Sequence, residues 1–258
     1  MSEKLKGKNV FITGASSGIG EACAVAFARE GANLLLAARR KERIDRLART
    51  LEDKYGVMTH GITLDVRHQA EVEQAVRSLP PAWDRIDILV NNAGLSRGLV
   101  KLHAGEIRDW DEMIDTNVKG LLYVTRAVLP GMVSRNSGHV INMGSIAGHQ
   151  VYPNGNVYCA SKYAVTAISE GLKMDLLGTN VRVSSVDPGL VETEFSQVRF
   201  RGDTQRAAQA YLNMHPLRGE DIAEIVIFCA TRPPHVDISQ VVVMPTDQAS
   251  VNHVHRSA

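Results

Sequence analysis

Thr13-Gly14-Ala15-Ser16-Ser17-Gly18-Ile19-Gly20 follows an apolar run, Asn9–Thr13 (NVFIT), and leads into an alanine-rich stretch with helical periodicity. Strand, glycine-rich turn and helix in that order make a site for an anion. A helix N-terminus offers unpaired N–H groups and the positive end of the helix dipole, and glycines let the backbone come close. The pyrophosphate of a dinucleotide is the anion such a turn suits. The spacing here is G-x-x-x-G-x-G, not the commoner G-x-G-x-x-G. A tight turn packed for its own sake could use the same glycines, but the strand before and the helix after argue against it.

Outward from this turn the same unit recurs. Asn33–Ala38, Gly61–Asp65, Ile86–Asn91, His139–Asn142, Val181–Val186 and Gln240–Met244 read as further strands, several apolar on both faces as strands covered above and below must be. Helical patterns lie between them at Gly20–Glu30, Lys41–Tyr55, Gln69–Leu79, Trp110–Arg135, Val157–Leu177 and Glu220–Thr231, with Pro130 expected to end or kink the fourth. Alternation of this kind predicts an α/β fold: a Rossmann-type, doubly wound parallel sheet of about seven strands with helices on both faces. No linker or repeat divides residues 1–258, so a single dinucleotide-binding catalytic domain is expected. The strand-free stretch 190–218, with Phe195, Arg199, Phe200, Arg201 and Tyr211, reads as a substrate lid.

Composition narrows the partners. With 29 basic and 28 acidic residues the net charge is +1, which gives no electrostatic footprint for nucleic acid or an anionic membrane. No run approaches the roughly 20 apolar residues of a membrane span. The short polar segment Met1–Lys8 resembles neither a signal nor a transit peptide. Cys23, Cys159 and Cys229 fit no zinc pattern or disulfide framework, and reduced thiols in a cytoplasmic protein are expected. The histidines lack HExxH spacing, and no metal is expected; His253 and His255 suggest packing or an interface near the tail.

The second strand ends in Ala37-Ala38-Arg39-Arg40-Lys41, and no carboxylate appears before Glu42. An acidic residue here would bind the ribose hydroxyls of NAD; guanidinium groups suit a 2′-phosphate instead. Arg39 and Arg40 therefore predict NADP(H). A solvated basic helix start is the plain alternative, although cations are poorly placed at a helix N-terminus.

Over essentially its whole length the chain resembles the short-chain dehydrogenase/reductase family. TGASSGIG at 13–20, Leu64-Asp65-Val66, Asn91-Asn92-Ala93-Gly94, Asn117, Ser145, Tyr158-x-x-x-Lys162, and Pro188-Gly189 with Thr193 carry the likeness in order. The resemblance implies a catalytic set of Asn117, Ser145, Tyr158 and Lys162, with Asn117 ordering a water beside the lysine. It places Gly14, Ser16, Ser17, Gly18, Ile19 and Gly20 on the pyrophosphate. Asp65 and Val66 would flank the adenine; Asn92, Ala93 and Gly94 would lie beside the cofactor. Pro188, Gly189, Val191 and Thr193 would bracket the nicotinamide, and Tyr158 and Lys162 would contact the cofactor as well.

The chemistry agrees with residue type. Tyr158 and Lys162 are four apart on one helix face, and an ammonium lowers a phenol's pKa from near 10. The tyrosine can then protonate a carbonyl or deprotonate an alcohol. Ser145, just past the fifth strand, can hold the substrate oxygen as charge develops.

Within the family the chain most resembles the NADP-dependent 3-hydroxy acid dehydrogenases, which include serine/allo-threonine dehydrogenases and malonic semialdehyde reductases, through stretches such as Val198-Arg199-Phe200-Arg201-Gly202-Asp203 and the tail Val254-His255-Arg256. Sulfoacetaldehyde reductases are near neighbours. A broad carbonyl or 3-oxoacyl reductase and a non-catalytic NADP(H)-sensing protein are the alternatives. Arg199 is the candidate for the anion of a small-molecule substrate; Arg256 could reach a site in the same or an adjacent subunit. His149, Val151 and Tyr163 depart from the pattern beside the catalytic residues. Family resemblance implies a homotetramer packed through the fourth and fifth helices.

Overall fold

The computed structural model describes residues 4–257. Seven strands form one parallel sheet in the order β3-β2-β1-β4-β5-β6-β7: β1 Asn9–Thr13, β2 Asn33–Ala38, β3 Thr59–Thr63, β4 Ile88–Asn91, β5 Gly138–Met143, β6 Val181–Pro188 and β7 Gln240–Val243. The chain winds outward from β1 to β3, then returns to β4 on the other side of β1. That reversal opens a crevice beyond the carboxyl ends of β1 and β4, where ligands of open α/β sheets bind.

Alternation along β1 sends side chains into two cores. Val10 and Ile12 join Phe27 of α1 (Gly18–Arg29), Leu47 of α2 (Lys41–Tyr55) and Val226 of α9 (Gly219–Ala230). Phe11 joins the opposite layer, with Val72 of α3 (Gln69–Arg77) and Met132 of α5 (Leu121–Ser134). Both faces are covered, as the apolar runs predict. The edge strands β3 and β7 are only partly buried, and β3 is the more polar of the two.

Two expectations need correction. Strand β3 begins at Thr59, two residues earlier than the apolar pattern suggests, because its register is set by pairing Thr59–Thr63 with Leu34–Ala38. The helix expected over Trp110–Arg135 is interrupted, though not at Pro130, which sits inside α5. Instead α4 (Ile107–Ile114) passes into a π-helical turn, Asp115–Gly120, before α5 begins. Such turns inside helices are frequent at functional sites, and this one carries Asn117.

The stretch 190–218 is ordered, with two short helices, α7 (Phe195–Arg199) and α8 (Thr204–Gln209). The remaining helix, α6 (Asn156–Asp175), carries Tyr158 and Lys162. Among the described residues no helix is long and apolar enough to cross a membrane. Cys23, Cys159 and Cys229 are buried free thiols.

Candidate active site

The crevice is a cavity of about 560 Å³, and all but two of the site residues expected from sequence line it. Gly14 and Gly18, with φ of +65° and +56°, turn the chain at its floor. A Cβ at Gly14 would come within 2.9 Å of Ala93 Cα, so the first turn can approach the Asn92-Ala93 segment only as glycine. Thr13 holds the two together: its Oγ1 accepts from the backbone N–H groups of Asn92 and Ala93, both at 3.1 Å. Gly20 is one of the two residues outside the lining. A Cβ there would lie 2.4 Å from Asn92 Nδ2, so it serves close packing rather than the ligand.

Ser17 caps α1 without a side-chain bond to the helix, which leaves the first N–H groups open toward the cavity. The turn and helix end together fit a pyrophosphate. At the tip of β2 the two arginines differ. Arg40 is committed: its Nη2 donates to Ser17 Oγ at 2.7 Å and Ser16 Oγ at 3.0 Å, and its Nη1 to Glu194 at 2.8 Å. Arg39 is exposed on the cavity rim and makes no hydrogen bond or ion pair among the described residues. Of the two, the guanidinium without a protein partner among the described residues is thus Arg39. Burial raises the Asp65 carboxyl, but the bonds and charge of Arg67, with the charge of Arg39, outweigh it and hold that group low.

Deeper in, Ser145 follows β5 and caps a short 3-10 turn, Ile146–Gly148. Tyr158 and Lys162 face the same cavity from α6. Burial pushes the Tyr158 phenol up, while the charge of Arg199 and the hydrogen bond with Ser145 pull it down. The lysine expected to perform that task lies with its Nζ 6.0 Å from the ring centroid and donates to Met143 O at 2.8 Å. Burial lowers Lys162 to about 8, opposed by the charge of Asp187. Both cations lie near the Tyr158 ring, Arg199 Cζ at 5.3 Å and Lys162 Nζ at 6.0 Å from its centroid.

Asn117 is the second residue outside the lining. Its Oδ1 accepts from Leu95 N and its Nδ2 donates to Leu95 O and to Ser161 Oγ. A Cβ on Gly94 would sit 3.4 Å from Asn117 Oδ1 and 3.8 Å from Lys162 Nζ, so the two groups flank the same spot. Pro188, Gly189, Val191 and Thr193 line the wall beyond β6.

Residues of the stretch 190–218 wall the cavity beyond Tyr158. Phe195 packs against Tyr158 edge-on, centroids 5.6 Å apart. Arg199 stacks between Tyr152, Tyr158 and Phe195, 5.2 to 5.8 Å from their centroids. Its Nη2 donates to Tyr152 Oη at 2.8 Å, while its buried Nε has no partner. Arg256 also borders the cavity of its own chain, but it donates to Ala210 O and Leu212 O and so laces the tail to the lid.

Sequence reading assigned no role to Glu194, Tyr152 or the tail wall of Gln248 and Val251. The charged and aromatic content of 190–218 hinted at Glu194, and the position of Tyr152 in the stretch after Ser145 hinted at it.

The chain is similar to known proteins over nearly its whole length. A model of the short chain dehydrogenase family matches residues 8–203. The chain is 49% identical over 250 residues to the NADP-dependent 3-hydroxy acid dehydrogenase YdfG of Salmonella typhi, covering 96% of this chain and 99% of that one. It is 45% identical to the NADP-dependent 3-hydroxy acid dehydrogenase of Schizosaccharomyces pombe, covering 98% of each. Among solved structures, the closed form of a serine dehydrogenase complexed with NADP+ superposes with a TM-score of 0.90 at 47% identity, covering 96% of this chain and all of that one.

Proposed function

The chain belongs to the short-chain dehydrogenase family, and from that membership we propose that it interconverts short 3-hydroxy acids and their carbonyl forms with NADP(H). The unpartnered Nε of Arg199, buried beside Tyr158, carries the substrate reading. A buried guanidinium N–H without a partner costs stability unless a ligand completes it, and a carboxylate is the matching acceptor. The relatives named for 3-hydroxy acids support the same class.

The cofactor supplies or takes the hydride. Gly14 to Ile19 would hold its pyrophosphate, Arg39 its 2′-phosphate, and Pro188 to Thr193 its nicotinamide end. Ser145 Oγ orients the substrate oxygen, and Tyr158 Oη gives that oxygen its proton during reduction or removes it during oxidation. Lys162 and Asn117, flanking one spot beside Gly94, hold the route by which Tyr158 exchanges that proton. Arg199 orients the acid group, and the lid excludes water from the reacting atoms.

A homotetramer is part of this reading. The helices expected at its contacts expose Leu122, Val133, Tyr163, Met174 and, just past α6, Leu177, and subunit packing would cover them.

The test is NADP+ reduction with serine and other short 3-hydroxy acids, set beside isethionate and a bulky neutral alcohol. Arg199→Met should raise KM for the acids about 30-fold, the loss of a charged hydrogen bond, and leave KM for the neutral alcohol unchanged. Turnover of isethionate alone would assign the sulfonate branch, and turnover of the neutral alcohol alone would remove the anion site.

A further inference from the structure

We infer that Asp187, held by His149 and Gln240, is a positioning residue for Ser145: one carboxylate pins both ends of the turn that presents the serine hydroxyl. Asp187 lies in β6 with no solvent exposure. Its Oδ1 accepts from Ser185 Oγ at 2.6 Å and occupies the space where Gly144 would carry a side chain; an ideal Cβ there would lie 1.8 Å away. Gly144 is fixed further by its N–H, which donates to Val186 O at 2.8 Å. Five residues on, His149 Nε2 meets Asp187 Oδ2 at 2.7 Å, and Gln240 Nε2 from β7 reaches the same oxygen at 2.7 Å.

A carboxylate accepts only, so His149 Nε2 carries the proton in this contact. Ser145 lies between the two anchors, its Oγ accepting from Ala147 N at 3.1 Å. The residue before Gly144 is Met143, whose carbonyl receives Lys162 Nζ. Fixing Gly144 therefore fixes the lysine's acceptor as well.

A buried charge is a poor way to gain stability, since apolar side chains of similar volume do as well or better. What three directed donors on one carboxylate supply is a fixed geometry, and catalytic hydroxyls lose rate steeply when misplaced. His149, which departs from the family pattern, supplies one of those donors. Its imidazole is partly exposed, so it can be changed with less damage than Asp187.

The kinetic half of the test rests on the proposed dehydrogenase activity. In the full-length protein, His149→Ala should lower kcat about tenfold while the NADPH dissociation constant, read by fluorescence, stays unchanged. His149→Gln, whose amide N–H can reach the same oxygen, should restore most of that loss. Amide hydrogen exchange over residues 144–149 should quicken in His149→Ala and stay at the wild-type rate in α1. Wild-type kcat in His149→Ala, equal loss in both variants, or faster exchange across the whole chain would overturn the inference. A wild-type protein silent on every substrate would defeat the dehydrogenase reading, and the exchange result would then decide the clamp by itself.

Discussion

Glu194 of the lid and Arg40 at the tip of β2 form an ion pair of 2.8 Å, and Arg43 of α2 meets the other oxygen of the same carboxylate at 2.6 Å. Both arginines hold the Glu194 carboxyl low, Arg43 foremost. All three side chains are about a third or more exposed, so each pair adds little stability. Their effect is on the cofactor groove, because Arg40 is spent on the lid and on Ser16 and Ser17 while Arg39 stays free.

The two neighbours should thus differ when changed. Arg39→Ser should lower kcat/KM for NADPH about 30-fold, the value of one charged hydrogen bond, and leave NADH unaffected. Arg40→Ala should weaken both cofactors, because the Ser16-Ser17 turn loses its anchor. Steady-state rates with each cofactor decide this; parallel losses in Arg39→Ser would assign the 2′-phosphate elsewhere.

Tyr158→Phe removes the hydroxyl proposed to pass a proton to the substrate oxygen and leaves the ring packed against Phe195. Turnover should fall by about 10²- to 10⁴-fold, with NADPH binding intact by fluorescence titration. Retained turnover would mean that another group is the acid.

Lys162 should cost the protein stability. Its folded pKa of about 8 lies below the ordinary 10.5, so below pH 8 both folded and unfolded chains carry the charge and the fold bears the full cost of burying it. That cost, about 3 kcal/mol from the gap between the two values, is relieved as pH rises from about 8 to 10.5. Lys162→Met should be inactive, more stable at neutral pH by up to that amount, and no more stable than wild type near pH 10.5. Denaturant unfolding across this range measures it; a less stable variant at neutral pH would contradict it.

How much of this was legible depended on how local the cause was. The glycine turn and the alternation of Val10, Phe11 and Ile12 are written in adjacent residues, and they sufficed for the sheet and for the floor of the cavity. The start of β3 was not, since Thr59 and His60 are polar and join the sheet only through pairing with Leu34 and Leu35. The π-helical turn at Asp115–Gly120 leaves helical periodicity intact on either side, so nothing in the pattern shows it. The bond of Arg40 to Glu194 was not legible, because the two lie 154 residues apart. Arg199 was legible as a charge in the lid, but not its three aromatic neighbours.

His139 gives the protein an acid limit. It is buried with Nε2 on Ser184 Oγ at 2.8 Å and Nδ1 without a partner, and burial, helped by the charge of Arg182, holds its pKa well below 6.5. Below pH 6.5 the unfolded chain takes up a proton that the folded one refuses, so stability should fall by about 1.4 kcal/mol per pH unit from this group. His139→Leu should flatten that slope in unfolding curves collected from neutral pH downward. An unchanged slope would place the acid sensitivity in other groups.

The cavity draws its wall from Gly14 at one end of the chain to Arg256 at the other. During synthesis, β1 must wait for β4, some 75 residues later, before its second edge is covered. The lid then waits for the tail, because Arg256 supplies the bonds that lace it at Ala210 and Leu212. A nascent chain can thus bury most of its core on the ribosome and still lack a closed pocket until residue 256 emerges. Termination of the chain just before Arg256 should therefore yield protein that folds and persists but lacks the bonds that lace the lid.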